Sequence, residues 1–326
     1  MRGRGHGEFG LIERIRERAG QRADVVLGIG DDAAILRVPA GSELVVSTDT
    51  LVAGVHFPSD TSAADIGWKA LAVNLSDLAA MGAEPAWMTL ALTLPEADAD
   101  WLDGFLDGFV ELANQHGVAL VGGDTTRGPL AITIGAHGLV PAGSALRRDG
   151  AHDNDDIWVT GTLGDAAGGL AQWRGQGPVS AKLRHRLDRP TPRVAAGLAL
   201  RGLASSAIDL SDGLVADLGH VLLASGGLGA QIDLGRLPTT RTLAEHFPVD
   251  AARWRLQLAG GDDYELCFTA RSADALAIEQ ALADCDTVAT VVGRVGNGPG
   301  VQLLTPDEQP FVLADAGFRH FRGRMN

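Results

Sequence analysis

The chain has 326 residues, of which 45% are hydrophobic and 21% charged, a composition that excludes a largely disordered protein and predicts about two domains. Its net charge of −14 repels nucleic acid and anionic lipid, so we expect neither as a partner. The chain has only two cysteines, which excludes a disulfide framework and a thiolate zinc cluster. No apolar run reaches the ~18 residues of a membrane span, and none forms a signal peptide. We therefore expect a cytoplasmic protein.

Apolar spacing and helix stop signals predict the elements of the first half of the chain. In order, they are a helix over 8–18, strands over 33–38 and 43–47, a helix over 61–81 ended by Gly82, a strand over 87–94, a helix over 98–116 ended by Gly117, and strands over 118–121 and 130–140. A polar, turn-rich segment follows over 141–156. We place the domain boundary near Ala145, which gives domains over 1–145 and 146–326.

The second half mixes helices and strands in the same way. The predicted elements are a strand over 157–160, helices around 166–173, 180–187 and 193–202, a short strand ending at Asp209, a helix over 212–224, a strand over 264–269, a helix over 273–283 and a strand over 287–295. Because helices and strands mix without strict alternation and no repeat of 20–50 residues is present, the sequence predicts two α/β or α+β domains.

Acidic residues recur in five turn-like motifs, most of them beside glycine. These are Gly30-Asp31-Asp32, Ser47-Thr48-Asp49-Thr50, Gly122-Gly123-Asp124-Thr125-Thr126, Asp209-Leu210-Ser211-Asp212-Gly213 and Gly260-Gly261-Asp262-Asp263. Asp beside Gly is typical of a plain turn, so one motif alone indicates nothing more. Each motif, however, adjoins an apolar strand-like run, and ligand sites of α/β proteins form at strand ends. Asp77 adds a carboxylate inside an apolar helix, one turn after Asn74 on the same face.

Several carboxylates at one site repel each other, so the pattern implies bound cations. Oxygen-only ligands favour Mg²⁺ or Mn²⁺, and Mg²⁺ commonly bridges carboxylates to substrate phosphates. Hydroxyl or backbone oxygens of Thr48, Thr50 and Ser211 could complete such sites. The arginines near these motifs are Arg127, Arg147 and Arg148, and each is compatible with a phosphate contact or with a surface salt bridge.

Several enzyme classes are excluded by what the chain lacks. Its only lysines, Lys69 and Lys182, lie outside any P-loop motif. The protein-kinase motifs, the nucleophile elbow, the zinc-protease helix motif and the dinucleotide fingerprint are absent as well.

Taken together, the order of motifs resembles the thiamine-monophosphate kinase family, within the superfamily of aminoimidazole ribonucleotide synthetase, selenophosphate synthetase and a hydrogenase-maturation dehydratase. The segments that carry the resemblance are GEFGLIERI (7–15), GIGDDAAIL (28–36), STDTLVAGVHF (47–57), GWKALAVNLSDLAAMGAEP (67–85), GVALVGGDTTRG (117–128), IDLSDGL (208–214), GGDDYELCF (260–268) and GFRHF (317–321). The resemblance spans essentially the whole chain. GVHF with NLSDLAAMGA and GGDTTRG is specific to the family, whereas DxSDG alone marks only the superfamily.

The resemblance implies ATP-dependent phosphorylation of thiamine phosphate to thiamine diphosphate with several Mg²⁺ ions. The implied magnesium ligands are Asp31, Ser47, Thr48, Asp49, Asp77, Asp124, Asp209 and Asp212. The implied ATP contacts are Leu106, Gly123, Asp124, Arg148 and Ser211, and the implied thiamine phosphate contacts are His56, Asp262 and Phe318. Two positions depart from the family pattern: Asp262 stands where the family usually has glutamate, and Leu106 where it often has tyrosine.

The implied fold is a two-domain, synthetase-like α/β fold. Its N-terminal mixed-sheet domain pairs with a second subunit to form a homodimer, and its C-terminal α/β domain closes over the substrate. We expect direct in-line transfer without a covalent catalytic residue, with Asp49 and Asp77 most critical through the metals. Three alternatives are another ATP-dependent member of the superfamily, a two-metal phosphohydrolase and a non-catalytic metal-binding module.

Overall fold

The computed structural model describes residues 8–314 and Gly317, and it forms two compact units. The N-terminal unit contains the described residues up to Leu78 together with Ala83–Gly143. The C-terminal unit contains Ala79–Gly82 and the described residues from Ser144 onward. The change from one unit to the other after Gly143 lies close to Ala145, where the sequence analysis places the domain boundary.

Three helices and a four-stranded sheet with a small hairpin make up the N-terminal unit. Its elements are α1 (Glu8–Arg18), β1 (Val25–Leu27), β2 (Ile35–Leu36), β3 (Ser42–Val52), α2 (Ala63–Ala80), β4 (Glu84–Leu94), α3 (Ala99–Gln115), β5 (Ala119–Arg127) and β6 (Ala131–Pro141). Asp98 caps α3 by accepting a hydrogen bond from the Trp101 N–H, so the polar residue before the helix fixes where it begins.

The sheet has the strand order β3-β6-β4-β5, so β3 and β5 are its two edges. β6 pairs antiparallel with both β3 and β4, and β5 pairs parallel with β4. One face of the sheet receives α2, which bonds to β3. The opposite face is partly covered by the hairpin, whose Val25 and Leu36 pack near Trp87. The Trp87 indole N–H donates to Asp24 at 3.1 Å and fixes the hairpin there.

Helices α2 and α3 cross at a distance that only glycine permits. A Cβ at Gly67 would lie 2.0 Å from the Phe105 carbonyl oxygen, and one at Gly108 would lie 1.8 Å from the Ala64 carbonyl oxygen. Both clashes would be with backbone, which cannot move aside as a side chain can. These two glycines therefore hold α2, the helix that carries Asn74 and Asp77, close to its neighbour.

The C-terminal unit is built on a six-stranded mixed sheet. Its elements are β7 (Asp156–Thr160), α4 (Asp165–Arg174), α5 (Ala181–Asp188), α6 (Val194–Ala199), β8 (Ser206–Asp209), α7 (Leu214–Ala224), β9 (Gly229–Asp233), α8 (Arg241–His246), α9 (Asp250–Ala259), β10 (Leu266–Ala270), α10 (Ala275–Ala283), β11 (Ala289–Gly296) and β12 (Gly300–Leu304). The strand order is β12-β9-β11-β7-β10-β8, with only the β12–β9 pair parallel. Its buried core includes Val159 of β7, Leu218 of α7 and Val292 of β11.

The predicted fold class, two mixed α/β domains, is confirmed. The helix predicted over 8–18 has the observed bounds, and the helices α2 and α3 lie within two residues of their predicted ends. The sequence analysis missed β1, β9, β12, α8 and α9. It was also wrong to describe the motifs at 47–50 and 122–126 as turns, because they lie inside β3 and β5. Among the described residues, no helix is long and apolar enough to span a bilayer.

We expect Gly108→Ala to destabilise the N-terminal unit, because the added methyl group would overlap the Ala64 backbone of α2. Such overpacking costs about 2–3 kcal/mol, which lowers the melting temperature of a unit of this size by about 5–10 °C. Thermal unfolding followed by circular dichroism measures the shift.

Gly219→Ala in α7 is the matched control, since a Cβ at Gly219 would meet nothing within 4 Å. Alanine is the better helix former by about 1 kcal/mol, so this variant should melt no lower than the parent chain. Equal losses in both variants would contradict the close crossing of α2 and α3.

Candidate active site

A cluster of polar side chains joins β3 to α2 in the N-terminal unit. The Ser47 hydroxyl donates to the Asp77 carboxylate. The Asp49 N–H donates to Asn74 Oδ1 at 3.2 Å, and the Asn74 side-chain amide donates to the Ala70 carbonyl at 3.0 Å. Because Asn74 is buried, water does not compete for its two hydrogen bonds, and these bonds fix the position of β3 along α2. We call Ser47, Asp49, Asn74 and Asp77 the β3–α2 cluster.

Asp49 is the member of the β3–α2 cluster whose pKa is raised. Burial, and then the negative charge of Asp77, raise the pKa of the Asp49 carboxyl to about 6. The charges of the two carboxylates repel each other, and a divalent cation between or beside them would lower the pKa of Asp49. The β3–α2 cluster therefore has the electrostatics of a cation site.

The alternation of β3 separates two of the predicted ligands from this cluster. Successive side chains of a strand point to opposite faces, so Thr48 points away from the face on which Ser47 and Asp49 meet α2. Asp124 lies on that opposite face as well. Across the sheet it is in register with Ala91 of β4, and Ala91 is in register with Thr133 of β6. The Thr133 hydroxyl bonds to Thr50 at 2.8 Å, so all of these side chains share the face of Thr50. Only a backbone oxygen of Thr48 could face α2.

The edges of the sheet separate Asp49 and Asp124 further. Asp49 is on the edge strand β3 and Asp124 on the opposite edge strand β5. Three strand spacings of ~4.8 Å put their backbones about 14 Å apart. Beside Asp124, a Cβ at Gly123 would lie 1.9 Å from the Leu90 carbonyl oxygen, so the residue must be glycine for β5 to approach β4.

The other predicted residues of the N-terminal unit lie in three different settings. Asp31 is exposed, and its carboxylate accepts the N–H of Asp32. His56 closes the turn after β3, where its Nδ1 accepts the Val52 N–H at 2.9 Å and so, in the neutral ring, carries its proton on Nε2. Leu106 has no exposed surface and lies in the core of the unit, which disagrees with its predicted nucleotide contact.

In the C-terminal unit, the predicted residues lie on two loops that are bonded to each other. The Asp262 N–H donates to the Ser211 carbonyl and the Tyr264 N–H donates to the Leu210 carbonyl, both at 2.9 Å. Asp262 and Tyr264 have φ angles of 61° and 49°, which the cross-loop bonds maintain against their ordinary preference. The Tyr264 hydroxyl lies 3.2 Å from Asp262 Oδ1 and orients that carboxylate.

Asp209 adjoins these loops, whereas Arg148 lies beside the start of β8 and the end of α7, so the structure does not bring it to them. Asp209 ends β8 and is 3% exposed, while Ser211 is exposed and Asp212 is half-buried. Arg148 is exposed in the short helical turn Arg148–Gly150, whose first carbonyl accepts the Ser225 hydroxyl at 3.1 Å. Phe318 lies outside the described residues.

Two buried acidic groups beneath the loops were not singled out by the sequence analysis. Asp217 of α7 accepts the N–H groups of Asp212 and Gly213. Glu265, which is fully buried, accepts hydrogen bonds from Arg186, Arg193 and Thr160. The signal that marked Asp77, a carboxylate in an apolar run, was present for both in VADLGHVLL and YELCF.

Magnesium fits the donors that are present. They are carboxylate and hydroxyl oxygens, which are hard ligands of the kind that Mg²⁺ takes. Among the residues that the structure describes, no three His, Cys, Asp or Glu side chains form a ready-made metal cluster. Magnesium sites commonly use one or two carboxylates and leave the remaining positions to water and substrate phosphates, so the pair Asp49 and Asp77 is sufficient as a protein contribution.

Comparison with known proteins covers both units. The models for the AIR synthase related protein match at residues 30–140 for its N-terminal domain and 153–305 for its C-terminal domain. Thiamine-monophosphate kinase of Escherichia coli K12 is 51% identical over 322 residues, which are 97% of this chain and 98% of that protein. The chain belongs to the thiamine-monophosphate kinase family. Membership extends over nearly its full length, so both the β3–α2 cluster and the loops of the C-terminal unit lie within the shared region.

Solved structures agree with membership in the thiamine-monophosphate kinase family. The crystal structure of the enzyme from Stenotrophomonas maltophilia K279a has a TM-score of 0.85 and 53% sequence identity, and the match covers 91% of this chain and 96% of that one. AaThiL complexed with AMPPCP and TMP has a TM-score of 0.76 and 30% identity, covering 98% of this chain and 99% of that one. The second of these structures contains AMPPCP and TMP together.

We expect Asp77→Asn to lower the pKa of Asp49 from about 6 toward its ordinary value in metal-free protein. The amide removes the negative charge but can still accept the Ser47 hydroxyl, and the effect of burial remains, so the decrease should be partial. Titration of the Asp49 carboxyl carbon by NMR measures it.

Asp107→Asn serves as the control, because Asp107 pairs with Arg18 on the surface of α3 in the same unit. It should leave the pKa of Asp49 unchanged. The same pKa of Asp49 in Asp77→Asn and in the parent chain would show that the two carboxylates do not interact.

Proposed function

We propose that this chain phosphorylates thiamine phosphate to thiamine diphosphate, with ATP as the phosphoryl donor and Mg²⁺ as the metal. The observation that carries the proposal is its 51% identity over 97% of the chain to a thiamine-monophosphate kinase. A related structure that holds AMPPCP and TMP together supports both substrates. The acidic β3–α2 cluster supports a divalent metal, since it concentrates negative charge where an anionic substrate alone would be repelled.

The proposal gives a role to each predicted residue except the buried Leu106. Asp31, Ser47, Thr48, Asp49, Asp77, Asp124, Asp209 and Asp212 bind magnesium, at more than one site because Thr48 and Asp124 lie on the opposite face from Asp49; Gly123, Asp124, Arg148 and Ser211 contact ATP; His56, Asp262 and Phe318 contact thiamine phosphate. Bound magnesium supplies positive charge against the roughly six negative charges of the two substrates. Within the β3–α2 cluster, Asn74 and Ser47 keep Asp49 and Asp77 in place for that purpose.

Transfer is proposed to be direct, with no phosphorylated enzyme and no dedicated base. The acceptor phosphate has a second pKa of about 6, as other phosphomonoesters do, and is already ionised at pH 7. Burial raises the pKa of the Cys267 thiol, which removes it as a thiolate nucleophile. His56 uses Nδ1 to hold the turn after β3. What remains for the protein is positioning and charge neutralisation, which provide most of the catalysis in phosphoryl transfer.

Incubation with ATP radiolabelled at its γ-phosphate tests this function. With Mg²⁺ and thiamine phosphate, the label should appear in thiamine diphosphate; without thiamine phosphate, ADP should form at no more than a background rate. Asp77→Asn should reduce the rate by ~10²–10³-fold, the usual cost of removing a group that stabilises transition-state charge.

The remaining outcomes separate the alternatives. Phosphate release without nucleotide would indicate a phosphohydrolase, and ATP consumption that ignores thiamine phosphate would indicate a different acceptor. Label on the protein itself would contradict direct transfer while leaving the substrates unchanged.

We propose further that the chain acts as a homodimer in the cytoplasm, where ATP is available, joined through the sheet of the N-terminal unit. Leu44 and Val46 of the edge strand β3 are 45% and 58% exposed on the face away from α2. Exposed apolar side chains on an edge strand favour pairing with another chain. A second copy that extended the sheet at β3 would also bring new groups beside Asp49, which lies far from Asp124 in its own chain.

A charge on this face should separate the subunits. Val46→Lys places an ammonium group in the proposed interface, so the mass measured by light scattering should fall from two chains to one. Val249→Lys is the matched control, because Val249 is 66% exposed in the C-terminal unit. One chain in the parent protein, or two chains in Val46→Lys, would contradict this interface.

A further inference from the structure

The N-terminal turn of α7 folds back on a buried carboxylate. Asp217 is 3% exposed, and its Oδ2 accepts the N–H of Asp212 at 3.1 Å and the N–H of Gly213 at 3.0 Å. The Asp217 N–H in turn donates to the Gly213 carbonyl at 3.0 Å. Two successive backbone groups of one turn are thereby attached to a single carboxylate oxygen inside the unit.

A second set of contacts holds the same turn from the opposite direction. The Ser211 carbonyl accepts the N–H of Asp262, and a Cβ at Gly261 would lie 2.5 Å from that carbonyl oxygen. A Cβ at Gly213 would lie 2.8 Å from Cα of Ala259, so α9 closes the space behind the turn. Backbone therefore limits movement of the turn toward Gly261 and toward α9, and the bonds to Asp217 hold it from within the unit.

We propose that Asp217 is a positioning residue that sets the affinity of the 209–212 turn for magnesium-bound nucleotide. The inference rests on the proposed function, which gives Asp209, Ser211 and Asp212 to metal and ATP. Asp217 itself faces inward and contacts neither ligand. It acts through the Asp212 and Gly213 N–H groups, which fix the direction in which the Asp212 side chain leaves the turn.

Asp217→Asn is the variant that tests this role, because it preserves size and one accepting oxygen but replaces the carboxylate by a neutral amide, which is a weaker acceptor for the two N–H groups. Isothermal titration calorimetry with Mg²⁺ and AMPPCP should show about a tenfold weaker binding, the scale expected when two hydrogen bonds to a carboxylate become bonds to a neutral group. In turnover, the Mg²⁺ concentration at half-maximal rate and the KM for ATP should rise, while the KM for thiamine phosphate stays within twofold.

Asp155→Asn is the matched control for stability. Asp155 is 2% exposed in the same unit and accepts the His152 N–H at 3.0 Å, so it closes a turn by the same chemistry with no predicted ligand nearby. We expect a similar loss of melting temperature from both variants, but weaker binding of Mg²⁺ with AMPPCP only for Asp217→Asn. Unchanged binding in Asp217→Asn, or an equal loss in Asp155→Asn, would overturn the proposal.

Should Asp217→Asn fail to fold, Asp217→Glu retains the charge and both oxygens but moves them by one methylene. It should weaken binding of Mg²⁺ with AMPPCP to a smaller extent, and parent-like binding in this variant would overturn the proposal as well. The calorimetry needs no turnover. It therefore decides the role of Asp217 even if the turnover assay shows that thiamine phosphate is not the acceptor.

Discussion

A carboxylate without access to water organises the C-terminal unit. Glu265 accepts hydrogen bonds from the Thr160 hydroxyl at 2.8 Å and from the guanidinium groups of Arg186 and Arg193. A buried charge is tolerated only when it is paired and fully hydrogen-bonded, so β7, β10, α5 and the start of α6 must meet at this point. Gly161 shows how tight the meeting is, since a Cβ there would lie 2.1 Å from the carboxylate of Glu265.

The pairing of Glu265 with the two arginines also constrains the candidate-site loop that directly precedes Glu265. Asp263, two residues before Glu265, accepts the Gly164 N–H at the start of α4, and burial raises the pKa of its carboxyl against the opposing effects of that bond and of Arg186. Asp262 and Asp263 are adjacent in one motif but therefore have different environments. Asp263 faces inward and connects the loop to α4, whereas Asp262 is half-buried beside Tyr264 and can meet a ligand.

Much of this could be predicted from the sequence, and the failures have physical causes. Long amphipathic segments such as α3 carry a clear period and a cap, so their bounds were predictable. β9 and β12 begin at glycines and are short, which leaves too few alternating residues to identify a strand. The acidic motifs were correctly selected as unusual, but a motif alone does not show which face of a sheet its side chains occupy. The alternation along β3 separates Thr48 from Asp49, and the strand order and register separate Asp124 from it. Asp217 and Glu265 carried the same signal as Asp77 but were missed, because the backbone N–H groups and arginines that satisfy them come from distant or unpredicted contacts of the fold.

Strand β3 carries two sets of side chains that alternate residue by residue. Ser47 and Asp49 turn toward α2, while Val46 and Thr48 turn toward the exposed face. A substitution in one set leaves the orientation of the other set unchanged, because each side chain keeps its own face. A deletion of a single residue is different, because it would exchange the two sets beyond that point and send carboxylates to one face and valines to the other. The strand must therefore keep its length as well as its proposed ligand side chains if the two sets are to stay on their own faces.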